Sequence, residues 1–285
     1  MFPNALIHVV SRQQLPEVAF VFQDLEQIIN LNVYDYYVLS SETEKHYEQF
    51  LYLEEKVVGK TILMEKPLFS SYKPVFSTKN SWYVGYNLRY HPVITYLIPA
   101  LKNEKILSAQ VYAGQYLPQW RPNTDYSQSY SVSKIKGGGV LLDLSHEIDY
   151  SIKMFGDFEK VQGFVGHISS LPGDSEDYAS FIGITSNRVM VNLTLDYLSQ
   201  VPYRKIIIQC EGKTITADLI SNTVVSEIGS KIKNIEIESI SDRNQTYIEM
   251  HKSVLVKDGC ACSLHEGLEI LKIIDKIKLE SYERS

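Results

Sequence analysis

The first third of the chain alternates short apolar runs with amphipathic stretches. Residues 5–10 and 18–22 are runs of strand length, and residues 23–29 space Leu25, Ile28 and Ile29 along one face of a short helix. A third strand pattern spans residues 34–39. Residues 43–55 predict a helix with Thr43 as N-cap and with His46, Phe50, Leu51 and Leu53 on its apolar side. Strand patterns return at residues 60–64 and 82–87. Nearly all-apolar strands separated by helical segments are buried on both faces, so the pattern predicts a parallel, doubly wound α/β sheet.

Past residue 90 the period changes. A helix is predicted over residues 92–102 and a strand over 106–116, followed by a polar loop, residues 117–133, rich in Tyr, Ser and Pro. A loop of that length suggests a function of its own. Gly137, Gly138 and Gly139 precede a predicted helix at 140–155. Strands follow at 161–169, 178–185 and 188–197, then a hairpin over 204–219 that turns at Glu211-Gly212. Val189, Val191, Leu193 and Leu195 alternate with Met190, Asn192, Thr194 and Asp196, which predicts one buried and one wet face. That is the signature of an open, mainly antiparallel sheet. Residues 246–257 and 263–281 read as closing helices, the second carrying a stripe of Leu264, Leu268, Leu271, Ile274 and Ile277. The expected class is α/β, with an amino-terminal domain over residues 1–88 and a carboxy-terminal α+β domain over residues 89–285.

Composition narrows the function. The chain has 285 residues, 44% hydrophobic and 22% charged, enough for two cores. Its formal charge of -6 is spread along the sequence without a Lys/Arg-rich block, which excludes nucleic acid and anionic membranes as expected partners. Cys210, Cys260 and Cys262 lack the spacing of a zinc or redox pair, so reduced thiols and no metal are expected. No stretch reaches the roughly 18 apolar residues of a membrane span. A cytoplasmic protein is the expectation.

Candidate chemistry gathers in three stretches. Glu65-Lys66-Pro67 follows an apolar strand, and a Lys at the carboxyl end of a parallel strand lies at the crevice where open α/β sheets bind ligands. Burial lowers its pKa and suits it to donate to a substrate hydroxyl. The bland reading is a surface Lys at a strand end. In residues 137–150, GGGVLLDLSHEIDY, the glycines let the backbone pass close to something bulky, and Asp143, His146 and Tyr150 fall at i, i+3 and i+7 on one helix face. A carboxylate one turn before an imidazole can orient it as a general acid/base. In residues 85–92, GYNLRYHP, Asn87 and Arg89 sit at the junction between the domains, where Arg89 holds either an anionic group or the two domains together.

Taken in this order, the stretches resemble the glucose-fructose oxidoreductase, inositol dehydrogenase and MocA (Gfo/Idh/MocA) family of NAD(P)-dependent sugar oxidoreductases. The resemblance also covers Thr43-Glu44-Lys45-His46, the strand LTLDYL and the closing SLHEGLEILKIIDK. It implies a Rossmann domain followed by a substrate domain whose open sheet serves as a homo-oligomer face. It further implies that Lys66 contacts nicotinamide ribose and substrate, that His146 is the acid/base and that Asp143 is the acidic residue before it. The implied reaction is hydride transfer to or from a sugar hydroxyl or ketone. Ser41, Thr43, His46, Glu65, Lys66 and Pro67 would border the cofactor. Trp120 and Arg121 of the long loop, with Asn87, Arg89 and Tyr150, would border the sugar.

The glycine-rich turn of that family, G-x-G-x-x-G after the first strand, has no counterpart here. Residues 5–10 correspond to the family's second strand, and the missing first strand is the central one of the order 3-2-1-4-5-6. Three outcomes are open: the second strand pairs with the fourth, another segment fills the slot, or the chain starts from an internal Met of a longer protein. Ser11-Arg12, after the second strand, would meet the 2'-phosphate of NADP and mildly favours it over NAD. Two functions follow: an NAD(P)-dependent sugar oxidoreductase, or a homologue with cofactor binding weakened or lost that serves as a binding or assembly subunit.

Overall fold

The computed structural model describes residues 5–121, 125–237 and 242–282, apart from positions 14, 16, 17, 19 and 243. The reading of residues 1–4 as a loop lies outside them. Two lobes of unlike sheets emerge from the two sequence periods.

In the first lobe β1 (His8–Val10) pairs in parallel with β2 (Phe20–Phe22) as a separate two-stranded ribbon. The main sheet runs β3 (Tyr36–Leu39), β4 (Thr61–Met64) and β5 (Ser81–Val84), all parallel. Its fourth strand, β14 (Cys262–Ser263), arrives antiparallel from far along the chain. All of β4 is buried, as its unbroken TILM predicts for a central parallel strand. Helix α1 (His46–Lys56) covers the sheet with Phe50 and Leu53 buried. Leu51, placed on the apolar side by sequence, is 50% exposed instead, because the buried stripe is narrower than its hydrophobicity suggests. Residues 23–29 make a single 3-10 turn, Leu25–Gln27, with Ile29 fully exposed.

Neither the second-to-fourth strand pairing nor a filling segment occurs among the described residues. β1 pairs with β2 alone, and β3 with β4 alone. The bridge between them is made by side chains: His8 Nδ1 and the Tyr34 hydroxyl lie 2.6 Å apart, with their rings edge to face.

The second lobe is an eight-stranded sheet. Its strands are β6 (Ile106–Gly114), β7 (Phe158–Gly166), β8 (Tyr178–Thr185), β9 (Met190–Asp196), β10 (Tyr203–Cys210), β11 (Lys213–Asp218), β12 (Thr223–Ile228) and β13 (Lys231–Glu236). They order as β13-β12-β11-β10-β6-β9-β8-β7, antiparallel throughout except for β6 beside β9. The β12–β13 hairpin escaped the sequence pattern because its short strands are half-exposed and polar. Val191, Leu193 and Leu195 are buried and Met190 and Asn192 exposed, as alternation requires. Asp196 departs from it. Its carboxylate is buried because it receives the amides of Leu198 and Ser199 and the Tyr112 hydroxyl, so the strand end, not the face, sets its place.

Between the lobes lie α2 (Pro92–Leu101), α3 (Val140–Asp143), α4 (His146–Phe155), α5 (Gln245–Val256) and α6 (Leu264–Tyr282). The single helix expected at 140–155 is broken at Leu144 and Ser145. Leu144 leaves helical backbone (φ -101, ψ 28) and the Ser145 hydroxyl donates back to the Leu142 carbonyl at 2.8 Å. The three preceding glycines fit protein, not ligand. A Cβ on Gly138 would sit 2.1 Å from the Tyr130 carbonyl, and Gly137, at φ 77, lies against Thr43.

His91 caps α2 by accepting the Val93 amide at 3.3 Å, and its ring also bonds the Leu219 carbonyl. Burial, then Arg204, lowers its pKa to about 4. The unfolded chain binds a proton here near pH 6.5 that the folded one refuses, so stability falls as pH drops from about 6.5 to 4 and the loss is complete below that. His91→Asn keeps a capping oxygen and removes the titration. Thermal melts between about pH 7 and 4 should therefore show a shallower acid decline in the variant, and parallel curves would show that His91 does not titrate as described.

Candidate functional site

β4 ends at the lobe junction, and the turn after it carries Lys66 through a cis peptide to Pro67. His46 holds this turn: its Nδ1 lies 2.9 Å from the Pro67 carbonyl and its Nε2 3.1 Å from the Ser41 carbonyl. Both ring nitrogens are thus engaged by main chain. His46 was expected to border a cofactor; here its ring is spent on fixing the loops after β3 and β4. Thr43 is buried beside Gly137 rather than capping α1, and Ser41 donates its hydroxyl to Gln49 at 2.7 Å. Glu65 is held above the usual carboxylate range by burial, against the backbone of Gly85.

Lys66 Nζ donates to the main-chain carbonyl of Asp143 at 2.6 Å, crossing from one lobe to the other. Burial lowers the ammonium's pKa, opposed by Asp143, Glu147 and Glu65. An ammonium has three donors, and the Asp143 carbonyl takes one.

The Asp143 carboxylate does not orient His146. The break at Leu144 turns it the other way, where Oδ2 accepts the Tyr197 hydroxyl at 2.7 Å and Tyr130 also bonds it. Its backbone oxygen instead positions Lys66. His146 opens α4 with its ring edge to face with Tyr86, centroids 5.5 Å apart. Its Nδ1 is sealed from solvent with no partner among the described residues. Burial pushes the imidazole well below its usual pKa, and the charges of Lys66 and Arg204 push it further. The Lys66 charge thus acts on the imidazole from across the junction.

His146 lines a cleft of about 310 Å³ together with Asn87, His91, Arg204, Thr246 and Tyr247. Asn87 was expected here, and its amide donates to Thr246 Oγ1 at 2.8 Å. Arg89 was not kept for a ligand. Its guanidinium is buried against Asp149, with Nη2 at 2.6 Å from Oδ1, and also meets Glu266 at 3.0 Å. It ties α4 to the start of α6. Tyr150 is likewise withdrawn: fully buried, its hydroxyl reaches toward Glu147 at 3.4 Å. Trp120 donates its indole N–H to the Gln115 carbonyl and packs edge-on against Tyr197. Arg121 is exposed over the Tyr130 ring. The long loop thus reaches the Lys66 site through Tyr197 and Tyr130, both of which bond Asp143.

Sequence reasoning missed Arg204 and Glu147. Arg204 Nε, from β10, meets the fully buried Glu147 carboxylate at 2.8 Å. The signal present in sequence was an acid directly after His146 on a helix with apolar neighbours; a buried acid needs a cation, but spacing does not say which.

Ser11 and Arg12 follow β1, and Arg12 lies close enough to Glu42 to help lower its pKa, chiefly set by Lys45. The loops after β1, β3 and β4 therefore converge on the same side of the first lobe.

Residues 105–216 match the profile of the GFO/IDH/MocA C-terminal domain. This segment is a Gfo/Idh/MocA carboxy-terminal domain. It contains Asp143, His146 and Arg204. No curated protein sequence matches the chain. Among solved structures, levoglucosan dehydrogenase in complex with NADH aligns over 98% of this chain and 88% of its own, with a TM-score of 0.82 and 17% identity. UDP-N-acetylglucosamine 3-dehydrogenase GnnA from Acidithiobacillus ferrooxidans aligns over 86% and 78%, with a TM-score of 0.67 and 16% identity. GenD2 from gentamicin A biosynthesis, in complex with NAD, aligns over 93% and 81%, with a TM-score of 0.73 and 17% identity. At these identities the likeness is one of fold, and it extends over both lobes. No described helix is long and apolar enough to cross a membrane.

Two outcomes follow from the junction. Arg89→Ala leaves Asp149 buried and unpaired, so urea unfolding should show a loss of about 3–5 kcal/mol. Lys66→Met removes a positive neighbour of His146, so the imidazole pKa, followed by NMR titration of that ring, should rise; an unchanged value would place the two groups in separate environments.

Proposed function

We propose that this protein is a nicotinamide-dependent oxidoreductase that interconverts a hydroxyl and a ketone on a sugar. The observation that carries the reading is the bond that brings Lys66 of the first lobe onto the main chain of Asp143, three residues before His146, whose imidazole the Lys66 charge depresses and which itself lines the cleft. Its support in kind is that a structure of the same fold, levoglucosan dehydrogenase, binds NADH together with levoglucosan.

The donor set suits such a cofactor. Lys66 retains two donors beyond the Asp143 carbonyl, enough for one ribose hydroxyl and one substrate hydroxyl. Ser41, Thr43, Glu65 and Pro67 lie on the loops beside it, and Ser11-Arg12 would take the adenosine end, where the Arg suits the additional phosphate of NADP. When bound, a nicotinamide supplies the two-electron acceptor or donor. The chain's own residues do the rest. His146, neutral because it is buried between two cations, takes the hydroxyl proton during oxidation and returns it during reduction. Lys66 donates to the same oxygen and stabilises its developing negative charge. Asp143, held by Tyr197 and Tyr130, keeps its carbonyl where the ammonium must sit. The open face of the eight-stranded sheet, with Phe164, Ile182 and Met190 exposed, is the surface through which we expect copies of the chain to associate.

Titration with NADH and NADPH, followed by nicotinamide fluorescence, tests the reading first. Saturable binding is expected, and its absence at millimolar cofactor would leave a cofactor-less binding subunit as the better description. Where turnover is found, His146→Asn should lower kcat by about 10²–10⁴-fold with cofactor affinity unchanged.

A further inference from the structure

Arg204 is the one charged side chain, among the described residues, that lines the cleft beside His146. No carboxylate lines it. His91 stays neutral because its pKa lies near 4 and both ring nitrogens already have main-chain partners. Asn87 and Thr246 contribute an amide and a hydroxyl already bonded to one another. The cleft therefore presents one fixed cation among neutral donors and acceptors, opposite the acid/base.

We propose that the cleft accepts an acidic sugar, one bearing a carboxylate or a phosphate, and that Arg204 binds the oxyanion. The proposal rests on the reading of this cleft as the substrate site. Three features set Arg204 apart from a residue that only neutralises Glu147. First, the exposures are unequal: the Glu147 side chain is 0% exposed and that of Arg204 26%. Second, the contact is made through Nε, one of five N–H donors, so Glu147 fixes the guanidinium plane without using its terminal edge. A planar fork held from behind matches a carboxylate or phosphate in front. Third, Glu147 directly follows His146 on α4, so the residue that fixes the anion receptor is covalently next to the acid/base. The spacing between the bound oxyanion and the reacting hydroxyl is then set by two adjacent residues of one helix. Arg204 acts as a specificity-determining residue: it decides which sugars are held with a hydroxyl near His146.

Isothermal titration of the full-length protein with glucose, glucuronate and glucose 6-phosphate, with and without NADH, tests this. At least one acidic sugar should bind about tenfold tighter than glucose, as a charge-assisted pair contributes. The better of the two identifies carboxylate or phosphate. Arg204→Gln alone leaves Glu147 buried without a cation, so the decisive variant is Arg204→Gln combined with Glu147→Gln, checked for folding by circular dichroism. In it the preference for the acidic sugar should be lost, so that it binds no tighter than glucose. Equal affinities in the wild type, an advantage that survives in the double variant, or no binding of any sugar would each overturn the proposal. The oxidoreductase reading fails separately: acidic-sugar binding without nicotinamide binding removes that reading and keeps this one, and nicotinamide-coupled turnover of neutral sugars without acid preference does the reverse.

Discussion

Among the hydrogen bonds that join the two lobes, the one from the Lys66 ammonium to the Asp143 main-chain carbonyl crosses three residues before His146. A buried ammonium is costly unless it is paired or hydrogen-bonded. Here the partner is a neutral carbonyl, with carboxylates nearby but not in contact. That choice has a consequence. A direct carboxylate partner would hold the charge tightly and keep the ammonium from reorganising toward a ligand, whereas a carbonyl fixes position and leaves two donors for other atoms. Every support around the turn serves this placement: His46 fixes the loop behind it, β4 delivers it in a fully buried strand, and two tyrosines anchor Asp143.

The orientation of α4 depends on the same logic applied twice. Glu147 and Asp149 stand two residues apart on its first turn, both buried, and each is met by an arginine from a different element. Glu147 pairs with Arg204 of β10, and Asp149 with Arg89 before α2. Two ion pairs from opposite sides fix the helix against rotation, and with it the ring of His146 at its start. Because His146 itself has no hydrogen-bonded orienting partner at Nδ1 among the described residues, its direction is set by the helix rather than by a neighbouring side chain. Ion pairs of this kind add little net stability over apolar packing, but breaking one leaves a charge stranded. Their value here is geometric.

Most of the fold was legible because its two periods differ. The run TILM before Lys66 reads as a central parallel strand, and the alternation through Met190–Asp196 reads as one-sided antiparallel sheet, and both are so. What failed did so where side-chain hydrogen bonds override periodicity. The Ser145 hydroxyl splits a helix that its apolar spacing made continuous, and that break moved Asp143 from the imidazole to Lys66. Strand β14, two residues long, carries no periodic signal at all; its pairing with β5 is tertiary.

The site residues divide along the same line. Although the break that puts His146 first in α4 was not foreseen, Lys66 and His146 were placeable from sequence, Lys66 at a strand end and His146 on a helix. The arginines were not. Arg89 and Arg204 are each one residue in a locally ordinary stretch, and which of them faces a ligand depends on which acid lies behind it and how deeply. Sequence left Arg89 open between holding an anionic group and tying the domains together. Burial favours the tie: two carboxylates enclose Arg89 at 3% side-chain exposure, while Arg204 meets one carboxylate and lines the cleft. The glycines teach the same point, for a Cβ at residue 138 or 139 would strike protein atoms within 2.5 Å. Close approach is what a glycine run encodes, and the sequence alone does not say whether the approaching group is a ligand or the next turn of chain.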